Sequence, residues 1–232
     1  MENKNTFGTE LESPFSFLDV EEVKEHFAQL NLTLLEGRHI EPSDYNHYKL
    51  LRDYWEELGY YYQNLYQLKL TVRKTSNGEY CYLDFYESGL GKLSDPSKRK
   101  DLTDVQTVYG LMLVKMSLDR EFDIDKTFKW EQIKQEILEG EHSASYKRIL
   151  FNKDADRKHF TEKELAPVMK QLMKVLKKFE QMGWVEDVKY EEGEKLEFTL
   201  RESISRLTLL YQKEIESFET FSENYKKYQL NK

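Results

Sequence analysis

Twice along this chain a set of apolar residues spaced three or four apart gives way to strict alternation around a tight turn. That change of period, from about 3.6 to 2, restricts each half to helices that bury one stripe and a hairpin that closes over them. In the first half Val20, Val23, Phe27, Leu30 and Leu34 form one helical stripe, and Gly37 is placed to end it. Ser43 or Asp44 can cap a second helix, whose inner face is Tyr45, Tyr48, Leu51, Trp55 and Leu58. A further helical stretch runs through Tyr61 to Leu65. Leu68, Leu70 and Val72 then alternate with Lys69 and Thr71, Ser76-Asn77-Gly78 turns the chain, and Tyr80, Tyr82, Leu83 and Phe85 return as a second strand.

The order then repeats without visible identity between the halves. Leu102, Val105, Val108, Leu111 and Met112 mark a helix, and Trp130, Ile133 and Ile137 a second. Leu165, Val168, Leu172, Val175, Leu176 and Phe179 mark a third, capped by Thr161 and tolerating Pro167 near its first turn. Gly183 ends it, and Val185 to Tyr190 and Lys195 to Leu200 form a hairpin around Glu191-Glu192-Gly193-Glu194. A last helix carries Ile204, Leu207, Leu210 and Phe218. The expected fold is α+β and mainly helical: two tandem winged helix-turn-helix modules plus a C-terminal helix. The expected boundaries are a flexible N-terminus over 1–14, a first module over 15–87 and a linker over 88–101. A second module over 102–201 and a C-terminal helix and tail over 202–232 complete the chain.

With 39% hydrophobic and 14% aromatic residues the chain can build cores despite 34% charged residues. No run approaches the length of a membrane span, and MENKNTFGTE has neither the basic start nor the apolar stretch of a signal peptide, so a cytoplasmic protein is expected. A single cysteine, Cys81, excludes an internal disulfide and a cysteine zinc cage. Gly89-Leu90-Gly91-Lys92 is no phosphate loop, because Tyr86 stands where the first glycine is needed and Leu93 follows the lysine. No two of the five histidines fall three or four apart, so no helical metal-binding or general-base pair with a carboxylate between arises. The sequence predicts no enzyme, no cofactor and no metal.

The net charge of -8 opposes nucleic-acid binding by the whole surface. Between Glu141 and Gly183, however, ten Lys or Arg stand against six Asp or Glu, leaving +4 there and -12 elsewhere. Lys170, Lys174, Lys177 and Lys178 fall on one side of the third helix of the second module, the element that enters the major groove in a winged helix. With Lys195 in the wing they are the candidate DNA contacts. Ten of the sixteen tyrosines crowd into the first module, more than one core is expected to hide, and tyrosine is enriched at protein interfaces.

LLEGRHI at 34–40 followed by Tyr45, Tyr48 and Leu51, the helix from Leu102 to Leu118, and FEQMGWVEDVKYEEGEKLEFTLRES at 179–203 resemble the MukE and MksE proteins. These are the tandem winged-helix ("kite") subunits of bacterial MukB-type condensins. The resemblance covers roughly residues 16–215 in order and spacing. It implies a nucleoid-associated, non-enzymatic subunit that forms a homodimer, grips a kleisin of MukF or MksF type, and through it joins an SMC ATPase of MukB or MksB type. Such a complex serves chromosome condensation and partition or plasmid defence. Tyr45, Tyr48, Trp55, Tyr61 and Tyr62 are the expected kleisin contacts. Family members also touch DNA through basic residues of the third helix of the second module, and Lys170, Lys174, Lys177 and Lys178 carry that role over. The well-known enterobacterial members keep basic residues up to the glycine, whereas Glu180 and Gln181 stand there in this chain, so the implied DNA contact is weaker or shifted. The alternative use of two winged helices is a transcription regulator on a palindromic site, against which the acidic balance speaks.

Overall fold

In the computed structural model of the chain the described residues are 13–87, 89, 95, 101–120, 126–151, 157, 159–191 and 195–230. Two compact units divide it, one of residues 1–73 with 81–99 and the other of residues 74–80 with 100–232. Residues 1–12 of the expected flexible N-terminus lie outside the described residues, as does most of the stretch 88–101.

In the first unit a 3-10 turn, Ser16–Asp19, leads into α1 (Glu21–Leu35), whose inner stripe buries Val23, Leu30 and Leu34. Gly37 ends the helix turn at φ +82°, a region that penalises any residue with a Cβ. Ile40 then makes one antiparallel bridge to Cys81, with N–H to carbonyl distances of 2.9 and 2.8 Å. The helix expected from Tyr45 to Leu58 is in fact two, α2 (Tyr45–Asp53) and α3 (Trp55–Tyr66). Tyr54, at φ -124° and ψ 36°, leaves helical geometry between them with no proline or glycine at that position to announce it. Lys49 on α2 holds Glu22 on α1 and Asp53 one turn on, fastening the two helices. The hairpin β1 (Leu68–Lys74) and β2 (Glu79–Phe85) follows as expected. Because Ile40 bridges β2, the second strand of the hairpin lies in the middle, flanked by β1 and Ile40.

The second unit is built around α4 (Asp104–Leu118), in which every residue from Val108 to Val114 is buried. A helix apolar on all sides must be wrapped by others. Thr103 and Gln106 close its start by exchanging hydrogen bonds, 3.0 Å from the Thr103 N–H and 3.3 Å to its hydroxyl. The wrapping elements are β3 (Thr127–Lys129), α5 (Trp130–Glu139), α6 (Ser143–Phe151), α7 (Glu162–Gln181), β4 (Val185–Glu191) and β5 (Lys195–Leu200). The sheet is antiparallel in the order β3-β5-β4, again with the second hairpin strand in the middle. Phe128 stacks on Phe198 across β3 and β5, with ring centroids 5.8 Å apart.

Three further features depart from the sequence pattern. Strand β3 and helix α6 carry no expected counterpart. The single C-terminal helix is broken into a 3-10 turn at Glu202–Ser205, α8 (Arg206–Leu210), α9 (Gln212–Glu216) and α10 (Phe218–Leu230), with Tyr211 and Ser217 off helical geometry. Leu207, Ile215 and Phe218 join the core, while Leu210, expected on that stripe, is exposed. The architecture is α+β and mainly helical, and among the described residues no helix is long and apolar enough to cross a membrane.

Candidate functional site

Helix α7 is the most strongly two-faced element. Leu165, Val168, Leu172, Val175, Leu176 and Phe179 are buried along one side. At about 100° per residue, Lys163, Lys170, Lys174, Lys177 and Gln181 fall within about 40° of a single line opposite that core. All five are exposed, so the stripe of cations points straight away from the packed side. Lys178 lies on its flank and is half-buried, and Lys195 belongs to a different element, at the exposed start of β5. Lys163, seven residues before Lys170 and so nearly two full turns away on the same face, extends the stripe beyond the lysines expected from the sequence.

The acidic residues of α7 do not interrupt this line. Glu164 is engaged by Arg157, at 2.6 and 2.9 Å, and Glu162 lies 3.4 Å from Lys134. The basic island is nonetheless smaller than its sequence suggests. Lys147 is buried on α6, Arg148 donates to the Ser222 hydroxyl at 2.9 Å, and Arg157 is occupied by Glu164. Lys153 and Lys158 lie outside the described residues. On the β3-β5-β4 sheet Glu197 lies 3.4 Å from Lys189 and 3.9 Å from Lys129, which offsets the cations there. What stays exposed on α7 is the line from Lys163 to Lys177.

The aromatic residues of the first unit separate into surface and core. Tyr45 opens α2 and is 70% exposed. Tyr48 and Trp55 are half-buried and pack against the core. Tyr61 and Tyr62 are core residues: Tyr61 meets the rings of Phe27, Tyr62, Tyr66 and Phe15 at centroid distances of 5.1, 5.2, 5.8 and 6.2 Å. Burial, with Tyr66 alongside, pushes the Tyr61 hydroxyl up to about 12. The Tyr62 hydroxyl is pushed higher still by burial and has no hydrogen-bond partner among the described residues. Of the ten tyrosines of the first half, Tyr61, Tyr62, Tyr80 and Tyr82 are buried and Tyr48, Tyr54, Tyr66 and Tyr86 half-buried, which leaves Tyr45 and Tyr60 exposed. Leu32 and Leu65, 58% and 47% exposed, join Tyr45 as large apolar groups on the surface of this unit, and no sequence pattern singled them out.

No curated protein matches the chain. The family model of the condensin complex protein MksE matches residues 25–211, which takes in all but the first turn of α1, α2 through α8 and both hairpins. The match runs through the buried stripes, both glycine turns and the lysine helix alike, and by it the chain belongs to the MksE family of condensin complex proteins.

Proposed function

We propose that this chain is the non-enzymatic kite subunit of a bacterial condensin-like complex. It pairs with a second copy of itself, grips an extended segment of a kleisin of MukF or MksF type, and joins through it an SMC ATPase of MukB or MksB type. The observation that carries this is the family match over residues 25–211. Each unit as a winged helix-turn-helix agrees with it: a helix, a short extended pairing (the Ile40 bridge or β3), further helices and a hairpin recur in both, with the second hairpin strand central each time.

On this proposal the division of labour follows the two surfaces. In the first unit Tyr45, with Tyr48 and Trp55 at its edge, offers flat amphipathic rings suited to a partner chain, whereas Tyr61 and Tyr62 supply the packing beneath. In the second unit the α7 stripe makes a weak, sequence-independent contact with DNA. Lysines that meet phosphates position a protein on a duplex without reading bases. The ATP chemistry belongs to the SMC partner, and the complex acts in the cytoplasm on the nucleoid or on invading plasmids.

Light scattering on the chain alone and mixed with the kleisin encoded beside it tests the proposal. The expected result is a mass about twice the 27.9 kDa of one chain, rising further when the kleisin is added. A monomer at micromolar concentration that fails to co-elute with the kleisin overturns it.

A further inference from the structure

The second unit contains a cavity of about 250 Å³ bounded by α4, α6, α7 and α10. Its apolar wall is formed by Val105, Val108, Ile149 and Leu150, and Arg148 and Lys226 bring two cations to it. Arg148 is the unusual member. Its side chain is only 16% exposed, yet among the described residues its hydrogen bond goes to the neutral hydroxyl of Ser222 at 2.9 Å, and it pairs with the half-exposed Glu223 carboxylate only at 3.9 Å. A guanidinium offers five N–H donors, and a largely buried cation held to a half-exposed carboxylate only at 3.9 Å is incompletely compensated. The wall and the cations together ask for one class of occupant: an anion small enough for the cavity and apolar over most of its surface.

We propose that this cavity binds a small organic carboxylate, its compact apolar body seated on Val105, Val108, Ile149 and Leu150. Its carboxylate takes the N–H groups of Arg148 that Ser222 does not, the pairing for which a planar guanidinium fork is suited, with Lys226 beside it. Inorganic phosphate would satisfy the cations and leave the apolar wall uncovered. Because Ser222 and Lys226 belong to α10 while Arg148 and Ile149 belong to α6, an occupant bridges the two helices and holds α10 down.

The test is a titration of the full chain with 3-phenylpropanoate, followed by calorimetry and by the methyl resonances of the valine, leucine and isoleucine side chains. The expected result is saturable binding that shifts the Val105, Val108, Ile149 and Leu150 methyls and slows amide exchange along α10. The neutral 3-phenylpropanamide and the variant Arg148→Met are each expected to lose about tenfold or more in affinity, the worth of a charge-assisted pair. Val105→Trp, which fills the cavity from its half-exposed rim, is expected to abolish binding with the fold retained. Should Arg148→Met fail to fold, the comparison of acid with amide on the parent chain decides. No saturable binding up to about 10 mM, equal binding of acid and amide, or binding retained by Val105→Trp overturns the proposal.

Discussion

Arg157 closes the start of α7 by gripping Glu164 through two parallel hydrogen bonds, of 2.6 and 2.9 Å. The same carboxylate accepts from the Thr161 backbone N–H and hydroxyl, both at 3.0 Å, in the first turn where unpaired amides favour a negative charge. Glu164→Gln keeps an acceptor but removes the charge, and is expected to cost about 1 kcal/mol, or roughly 2–4 °C in melting temperature. Arg157→Met should cost about as much, and the double variant little more than either single one. Fully additive losses in a double-mutant cycle would show that the two residues act separately.

Gly110, in the middle of the all-buried stretch of α4, is where Leu207 and Phe179 close in. A Cβ there would lie 2.6 Å from Leu207 Cδ1 and 3.2 Å from Phe179 Cζ. Alanine is better than glycine in a helix by about 1 kcal/mol, but forcing a methyl into a packed core costs about 1–3 kcal/mol. Gly110→Ala is therefore expected to lower the urea midpoint. A raised midpoint would mean that Leu207 swings clear at no cost.

Glu136 on α5 gives a pH prediction. Burial, with Asp119 nearby, holds its carboxyl above the ordinary value, the partial opposing effect of His142 notwithstanding. A raised folded pKa means that the protonated form is the one the fold prefers. The associated stability is present below the ordinary pKa of 4.5 and is lost as pH rises through the higher folded value. Glu136→Gln should thus raise the melting temperature at pH 7 and by less at pH 4, relative to the parent at the same pH. An increment that is equal at both pH values, or larger at pH 4, contradicts this.

Tyr45 and Tyr61 separate surface from core. With 70% of its area exposed, Tyr45→Ala should leave the melting temperature nearly unchanged while weakening capture of the kleisin by about tenfold or more. Tyr61→Ala, which empties the centre of a ring cluster, should cost about 3–5 kcal/mol of stability. If Tyr45→Ala captures the kleisin as the parent does, the partner binds elsewhere on the first unit.

The sequence made the long helices and both hairpins legible, because each buries a stripe or alternates faces over enough residues for the period to show. Helix α6 was not legible: it buries Ser145, Tyr146 and Lys147 in succession, a set that follows no apolar period. Strand β3 has three residues and the Ile40 strand a single bridge, too few for alternation to register. Tyr61 and Tyr45 look alike in sequence, since a surface ring and a core ring share the same helical spacing. Only the break at Tyr54 and the packing of Phe15 and Phe27 around Tyr61 tell them apart.

The lysine helix yields the last prediction. Of the described cations in the basic island, Lys147 and most of Arg148 are buried and Arg157 is held by Glu164, and the exposed line of α7 puts a contact with DNA on Lys163, Lys170, Lys174 and Lys177. Four side chains along one helix face reach about 3 or 4 phosphates, and log affinity should then fall with log salt at a slope of about -3. Lysine offers no bidentate match to a base edge, so affinity should change little between unrelated duplexes. The -12 carried outside the Glu141–Gly183 stretch should keep the free chain from holding DNA well, leaving the assembled complex to place α7 beside a captured duplex. Changing the four lysines together to glutamate is expected to abolish DNA retention by the complex, with dimerisation and kleisin binding intact. Lys178→Gln, on the half-buried flank, should change retention by less than any one of the four. Retention by the quadruple variant equal to that of the parent across a salt titration would identify the stripe as an ordinary solvated face.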